Sequence, residues 1–188
     1  TTSSILGHVL YESGVDVTAF LGGIVENYNS NLIGSGKTVT VVEADEFDRS
    51  FLNLHPNVSC ITSMDADHLY IYGDVAHIED SFKEFASKTT AENLFIVQGL
   101  PLVGNEVSVS TVASIPPSGA RGLSAQNIRI ENGFYVFDVK TPKELVPNVK
   151  FGLPGHHNLT NAMLAFAMAK SYGVSNDNIC AALASFKG

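Results

Sequence analysis

Basic residues are few in this sequence: 11 lysines and arginines stand against 19 aspartates and glutamates, a formal net charge of −8. Binding a nucleic-acid backbone takes clustered Lys and Arg, so such a surface is not expected. A local anion site built from backbone N–H groups remains compatible with this charge. Long apolar runs are missing too. None approaches the ~18 residues of a membrane span, and the first residues lack a signal-peptide pattern, so a soluble chain is expected. Cysteine is scarce. Cys60 and Cys180 sit inside apolar segments without metal-ligand spacing and read as buried, reduced thiols of a cytosolic protein. Repeats and low-complexity tracts are absent. What is there is a chain of 188 residues, 45% apolar with a mean hydropathy of +0.14, enough for one domain with a real core.

The apolar residues fall into short segments. "TTSSILGHVLYESGV" reads as a helix from its first residues, capped by Thr2, Ser3 or Ser4 and striped by Ile5, Val9 and Leu10. "ASFKG" ends the sequence directly after a helical pattern, so both ends look cut from something longer. Runs at 17–23, 38–45, 58–64 and 93–98 read as strands, and their lack of alternation predicts cover on both faces, as in a parallel sheet. Residues 46–54 form a short helix candidate. Residues 75–88 form a longer one, with Ile78, Phe82 and Phe85 on one face. This alternation predicts an α/β fold with a mostly parallel sheet flanked by helices. Asn132-Gly133 marks a hairpin, so residues 105–150 are expected to append a small antiparallel sheet. A helix apolar nearly all round follows at 155–174, stopped by Gly173, and the last helix lies at 176–186.

Four segments could carry chemistry. Gly36-Lys37-Thr38 ends like a phosphate-binding loop, but that pattern needs glycine where Asn31 stands, and this loop runs into a strand. It reads as a turn. Glu43, Asp45, Glu46 and Asp48 lie at and beyond a strand's carboxyl end, where open α/β sheets bind ligands. Carboxylates gathered there call for a cation, and Mg²⁺ suits oxygen ligands. Glu46 and Asp48 read as a solvated helix start, whereas Glu43 belongs to the strand pattern. Asp65, Asp67 and His68 follow the strand at 58–64. If that strand neighbours 38–45, both acidic groups share one rim. Finally "GHHNLTN" places Asn158 and Asn161 on one face of a helix's first turn, beside His156 and His157. Amides offer a donor and an acceptor together, which suits the edge of an adenine.

"EADEFDRSFL", "SMDADHLYIYGD" and "PGHHNLTNA" together resemble the central domain of the Mur ligases, the amino-acid-adding enzymes of peptidoglycan synthesis, over the whole length. They stand nearest the branch that adds L-alanine to UDP-N-acetylmuramate; the branch that recycles murein tripeptide ranks second. The resemblance implies a P-loop-NTPase-like ATP-binding domain over 1–188 of a three-domain cytoplasmic enzyme. It assigns Glu43 to the Mg²⁺ between the ATP β- and γ-phosphates and His68 to a second Mg²⁺. Asn158, Asn161 and His157 would lie beside the adenine. The implied reaction is attack of a carboxylate on the γ-phosphate, giving an acyl phosphate that the amine of L-alanine then displaces. In the family a Gly-rich loop ending in Gly-Lys-Thr lies just ahead of the position of Thr1, so residues 1–188 alone are expected to be inactive. Tyr70 stands where the family usually has Asp, and Phe82 aligns with a lysine that several members carbamylate. Lys83 is given no role. A non-catalytic nucleotide- or partner-binding α/β domain is the reading from another class.

Overall fold

A computed structural model describes residues 1–45, 47–65, 75–109, 119 and 121–188, with the side chains of 47, 48, 75 and 76 also left aside. Helix α1 (Thr2–Glu12) opens the chain, followed by strands β1 (Val17–Val25), β2 (Ser30–Gly34) and β3 (Val39–Val42). A 3₁₀ helix (Phe47–Asn53) leads to β4 (Ser59–Ile61). Then come α2 (Val75–Ser87), β5 (Leu94–Val97), β6 (Asn105–Val109), β7 (Leu123–Glu131), β8 (Phe134–Lys140) and β9 (Leu145–Phe151). Helices α3 (His156–Tyr172) and α4 (Asn176–Ser185) close the fold.

The strands form two sheets, ordered β2-β1-β3 and β4-β5-β6-β7-β8-β9. In the larger sheet β4 to β7 pair in parallel, and β8 and β9 continue it antiparallel. Residues 105–150 therefore do not form an antiparallel sheet of their own: β6 belongs to the parallel part, and β8 and β9 extend the same sheet from β7, where a hairpin replaces a crossover. Asn132 and Gly133, both with positive φ (51° and 82°), make the tight turn between β7 and β8. The smaller sheet joins β1 in parallel to β3 and antiparallel to β2.

Helix α1 packs on the small sheet and against α3, and α3 packs on β5, β6 and β7. These two helices thus join the sheets, and the main core lies between them and the sheet faces they cover. Along α3 nine consecutive or near-consecutive side chains, Leu159 and Ala162 to Ala169, are buried, as its all-round apolarity requires. Strand β5 is covered on both faces: Phe95 points into the main core, while Leu94 and Ile96 join Phe51, Ile61 and Phe85 in a second cluster. That cluster lies under the 3₁₀ helix and α2.

Three expectations need correction. Strands β1 and β3 are not covered twice, since their exposure alternates and Phe20 and Val42 are exposed. The physical reason is connectivity: β1 returns through the hairpin strand β2, which lies in the sheet and covers neither face, where a crossover helix would. Among the described residues β3 and β4 do not pair, and they belong to different sheets. Helix α1 has no side-chain cap from Thr2, Ser3 or Ser4, because the helix already begins at Thr2 and its N-cap position falls on Thr1. Gly36-Lys37-Thr38 indeed lies in the short connection between β2 and β3. The carboxylate of Asp16 accepts from the Lys37 and Thr38 amides and the Thr38 hydroxyl (3.0, 2.9 and 2.6 Å), which uses the very N–H groups a phosphate would need. Those bonds, the Thr38 hydroxyl first, hold the Asp16 carboxyl below its ordinary range.

Candidate active site

The carboxyl ends of β1 and β3, the start of α1 and the start of α3 meet around a cavity of about 370 Å³. Thr1, Ser4, Gly23, Glu43, Asn158 and Phe186 line it. Glu43 is the first residue past β3, and its backbone still bonds to the carbonyl of Phe20, which continues the ladder (3.1 Å). Its side chain is held by the Gly22 amide, which donates to Oε2 at 2.9 Å. The other oxygen, Oε1, lies 3.5 Å from the ammonium group of Thr1, and the carboxylate is 39% exposed. A half-exposed carboxylate with one oxygen fixed by a backbone amide is suited to a hard cation.

Opposite Glu43 stands the first turn of α3. Gly155 precedes it with φ 99°, a conformation that L side chains rarely adopt, and the ring of exposed His157 folds over it. The Asn158 amide donates to the carbonyl of Pro154 (2.7 Å), and Asn161 Oδ1 accepts from the Thr2 hydroxyl (3.0 Å). This leaves one acceptor, Asn158 Oδ1, and one donor, the Asn161 amide nitrogen, without partners among the described residues. An adenine edge needs that combination. Sequence reasoning found Glu43, Asn158 and Asn161 but missed the residues that hold them: Gly22, Pro154 and Thr2. Paired glycines inside a strand pattern, Gly22-Gly23, were the available signal of a close backbone approach.

A second cavity, about 230 Å³, lies between the carboxyl ends of β3 and β4. Ala44, Thr62, Ser63, Asp65, Phe51 and Phe82 line it, so the two strand ends share a rim although the strands are not paired. Ser63 donates to Asp65 Oδ2 (2.6 Å) and accepts from the Asp65 amide, fixing this carboxylate at the mouth. Phe82 faces this cavity, whereas Lys83 points outward to Glu79 and Asp80 (3.4 and 3.7 Å). Cys60 also lines it, its thiol pushed up to about 12 by burial, and both cysteines are free. Glu46, Asp67, His68 and Tyr70 lie outside the described residues, as does the side chain of Asp48. Among the described residues no three His, Cys, Asp or Glu side chains gather into a metal cluster.

The profile of the Mur ligase middle domain matches residues 1–169. The chain belongs to the Mur ligase middle-domain family. It is 66% identical over its whole length to the UDP-N-acetylmuramate–L-alanine ligase of Flavobacterium psychrophilum, of which it covers 40%. Among solved structures, the UDP-N-acetylmuramate–alanine ligase of Thermotoga maritima superposes with a TM-score of 0.80 at 23% identity, covering all of this chain and 42% of that one. The UDP-N-acetylmuramate:L-alanyl-γ-D-glutamyl-meso-diaminopimelate ligase of Neisseria meningitides gives 0.78 at 22%, covering all of this chain and 62% of that one. Those two likenesses show the fold. The chain spans about two-fifths of the length of the curated relatives it matches. In this fold Glu43 and Asn158 line one cavity, and Asn161 is tied to Thr2 at the start of α1.

Proposed function

We propose that residues 1–188 are the central ATP-binding domain of a three-domain, cytoplasmic ligase that joins L-alanine to UDP-N-acetylmuramate. The observation that carries this is the cavity shared by Glu43, the start of α1 and Asn158. The 66% identical relative supplies the substrates. In the proposed reaction the lactyl carboxylate attacks the γ-phosphate of ATP, releasing ADP and forming an acyl phosphate. The amine of L-alanine then displaces phosphate to make the amide. Asn158 Oδ1 and the Asn161 amide would read the adenine, with His157 at its side.

Glu43 would hold Mg²⁺, with His68 as the expected holder of a second ion. The fit of Glu43 rests on its carboxylate, which the Gly22 amide holds at Oε2 on the wall of the cavity. Bound there, Mg²⁺ would offset the repulsion between the attacking carboxylate and the phosphate. A phosphate-binding loop ahead of Thr1 is supported by the sheets. β3 and β4 each have one side unpaired among the described residues, and their ends border one cavity, as if flanking a further strand.

The test is ADP release by the full-length enzyme. It should require both L-alanine and UDP-N-acetylmuramate, and Glu43→Gln should weaken Mg²⁺–nucleotide binding by about tenfold or more. Activity with murein tripeptide in place of L-alanine would transfer the reading to the recycling branch. Unchanged Mg²⁺–nucleotide affinity in Glu43→Gln would remove the metal assignment.

A further inference from the structure

The small sheet presents an apolar face that no described element covers. Leu32, Phe20 and Val42 lie in one register row across β2, β1 and β3, and all three are exposed (43%, 52% and 45%). The next row on the same face is Gly34, Thr18 and Thr40. Further along β1, Ile24 is 72% exposed. No charged side chain interrupts these rows. Parallel strands are ordinarily buried on both faces, and large apolar residues set side by side on a parallel pair cost solvation free energy when left in water. The opposite face of this sheet is filled by α1, with Ala19, Ile33 and Val41 in the main core.

We infer that this face is an interdomain surface, seated in the intact enzyme against polypeptide that flanks residues 1–188; this rests on the ligase reading above. Two observations select that occupant. Relatives contain this chain as 40% of their length, so ample flanking polypeptide exists to cover it. Thr1 and Gly188 stand together on the cavity that also holds Gly23, Ile24 and Glu43, and the Glu26 amide bonds to the Gly188 carbonyl. Glu43 directly follows Val42. Flanking chain on either side therefore emerges at the rim of the apolar row. A domain seated there would press on the strand ends that position Glu43, so its docking and the geometry of the ATP site are linked through β1 and β3.

The experiment places a cysteine at Leu32 in the full-length protein and follows its reaction with a bulky maleimide. Ile130→Cys, at a site 71% exposed on the large sheet, is the control. Reaction of Leu32→Cys slower than the control by about tenfold or more, at any protein concentration, is the expected result. Equal rates would overturn the inference. Protection that disappears on dilution would also overturn it, since a second copy would then be the cover. Ligase activity of the same variants is measured in parallel. Loss of L-alanine-dependent turnover in the unsubstituted protein would count against the function, whereas fast labelling with activity intact would count against the interface alone.

Discussion

At the scale of single residues, the site is built by neighbours that hold functional side chains. Asn161 is tied to Thr2 (3.0 Å), so one amide joins α3 to the start of α1. Asn161→Ala should raise the KM for ATP by about tenfold with a smaller effect on kcat, because a ground-state contact is lost. Thr2→Val, which removes the tether and keeps the amide, should have a weaker effect; steady-state kinetics at varied ATP check both. A different residue governs acid sensitivity. His8 is 1% exposed and bonds to the Tyr28 hydroxyl (2.7 Å), the Ala182 carbonyl (3.1 Å) and the Ser185 hydroxyl (3.0 Å). The Ala182 carbonyl can only accept, so Nε2 carries the proton. Burial lowers the His8 pKa below 6.5, against opposing effects of Glu12 and the Ala182 carbonyl. The unfolded chain thus takes up a proton that the folded chain resists. This contribution to stability is present above about pH 6.5 and is lost as pH falls below it. Urea unfolding should show stability dropping between pH 7 and pH 5, with a shallower drop in His8→Gln.

At the scale of elements, close approach between helix and sheet decides more than propensity does. Gly7 lies on the buried side of α1, where an added Cβ would come within 2.7 Å of the Ala19 Cβ on β1. Glycine ordinarily weakens a helix, and alanine would improve propensity by up to ~1 kcal/mol. Here the clash is with a methyl group rooted on a strand, which cannot swing aside. Gly7→Ala should therefore destabilise by about 1–3 kcal/mol, measured by thermal or urea unfolding. The elements themselves were largely legible. The Asn132-Gly133 turn, the all-round apolar α3 and its Gly173 stop follow from local chemistry, and Gly173 adopts φ 105°. Strand β2 has no signal of its own in the sequence, since "SNLIG" is only five residues long, and pairing with β1 makes it a strand.

At the scale of the whole molecule, the cavity proposed to take ATP is walled by parts far apart in sequence: the chain start, β1, β3 and α3. Residues 1–188 on their own should show no ADP release dependent on L-alanine and UDP-N-acetylmuramate, while the full-length enzyme should. A coupled assay on both proteins checks this, and substrate-dependent turnover by residues 1–188 would refute it.

Glu43, Asn158 and Asn161 were identifiable in the sequence because their chemistry is local: carboxylates at a strand end and amides on one helical turn keep their neighbours in the chain. That Glu43 and Asn158 line one cavity was not, because it depends on α1 packing against α3, joined by a Thr2–Asn161 bond that spans 159 residues. Apolar patterning likewise marked β1 and β3 as strands but predicted cover on both faces. Whether a face is covered depends on where the connection runs, and the hairpin through β2 leaves Phe20, Leu32 and Val42 in the open. Local sequence thus determined which elements form, since turns and periodicity act within a few residues. The tertiary structure decided which side chains meet and which surface stays bare, because both are consequences of packing between distant segments.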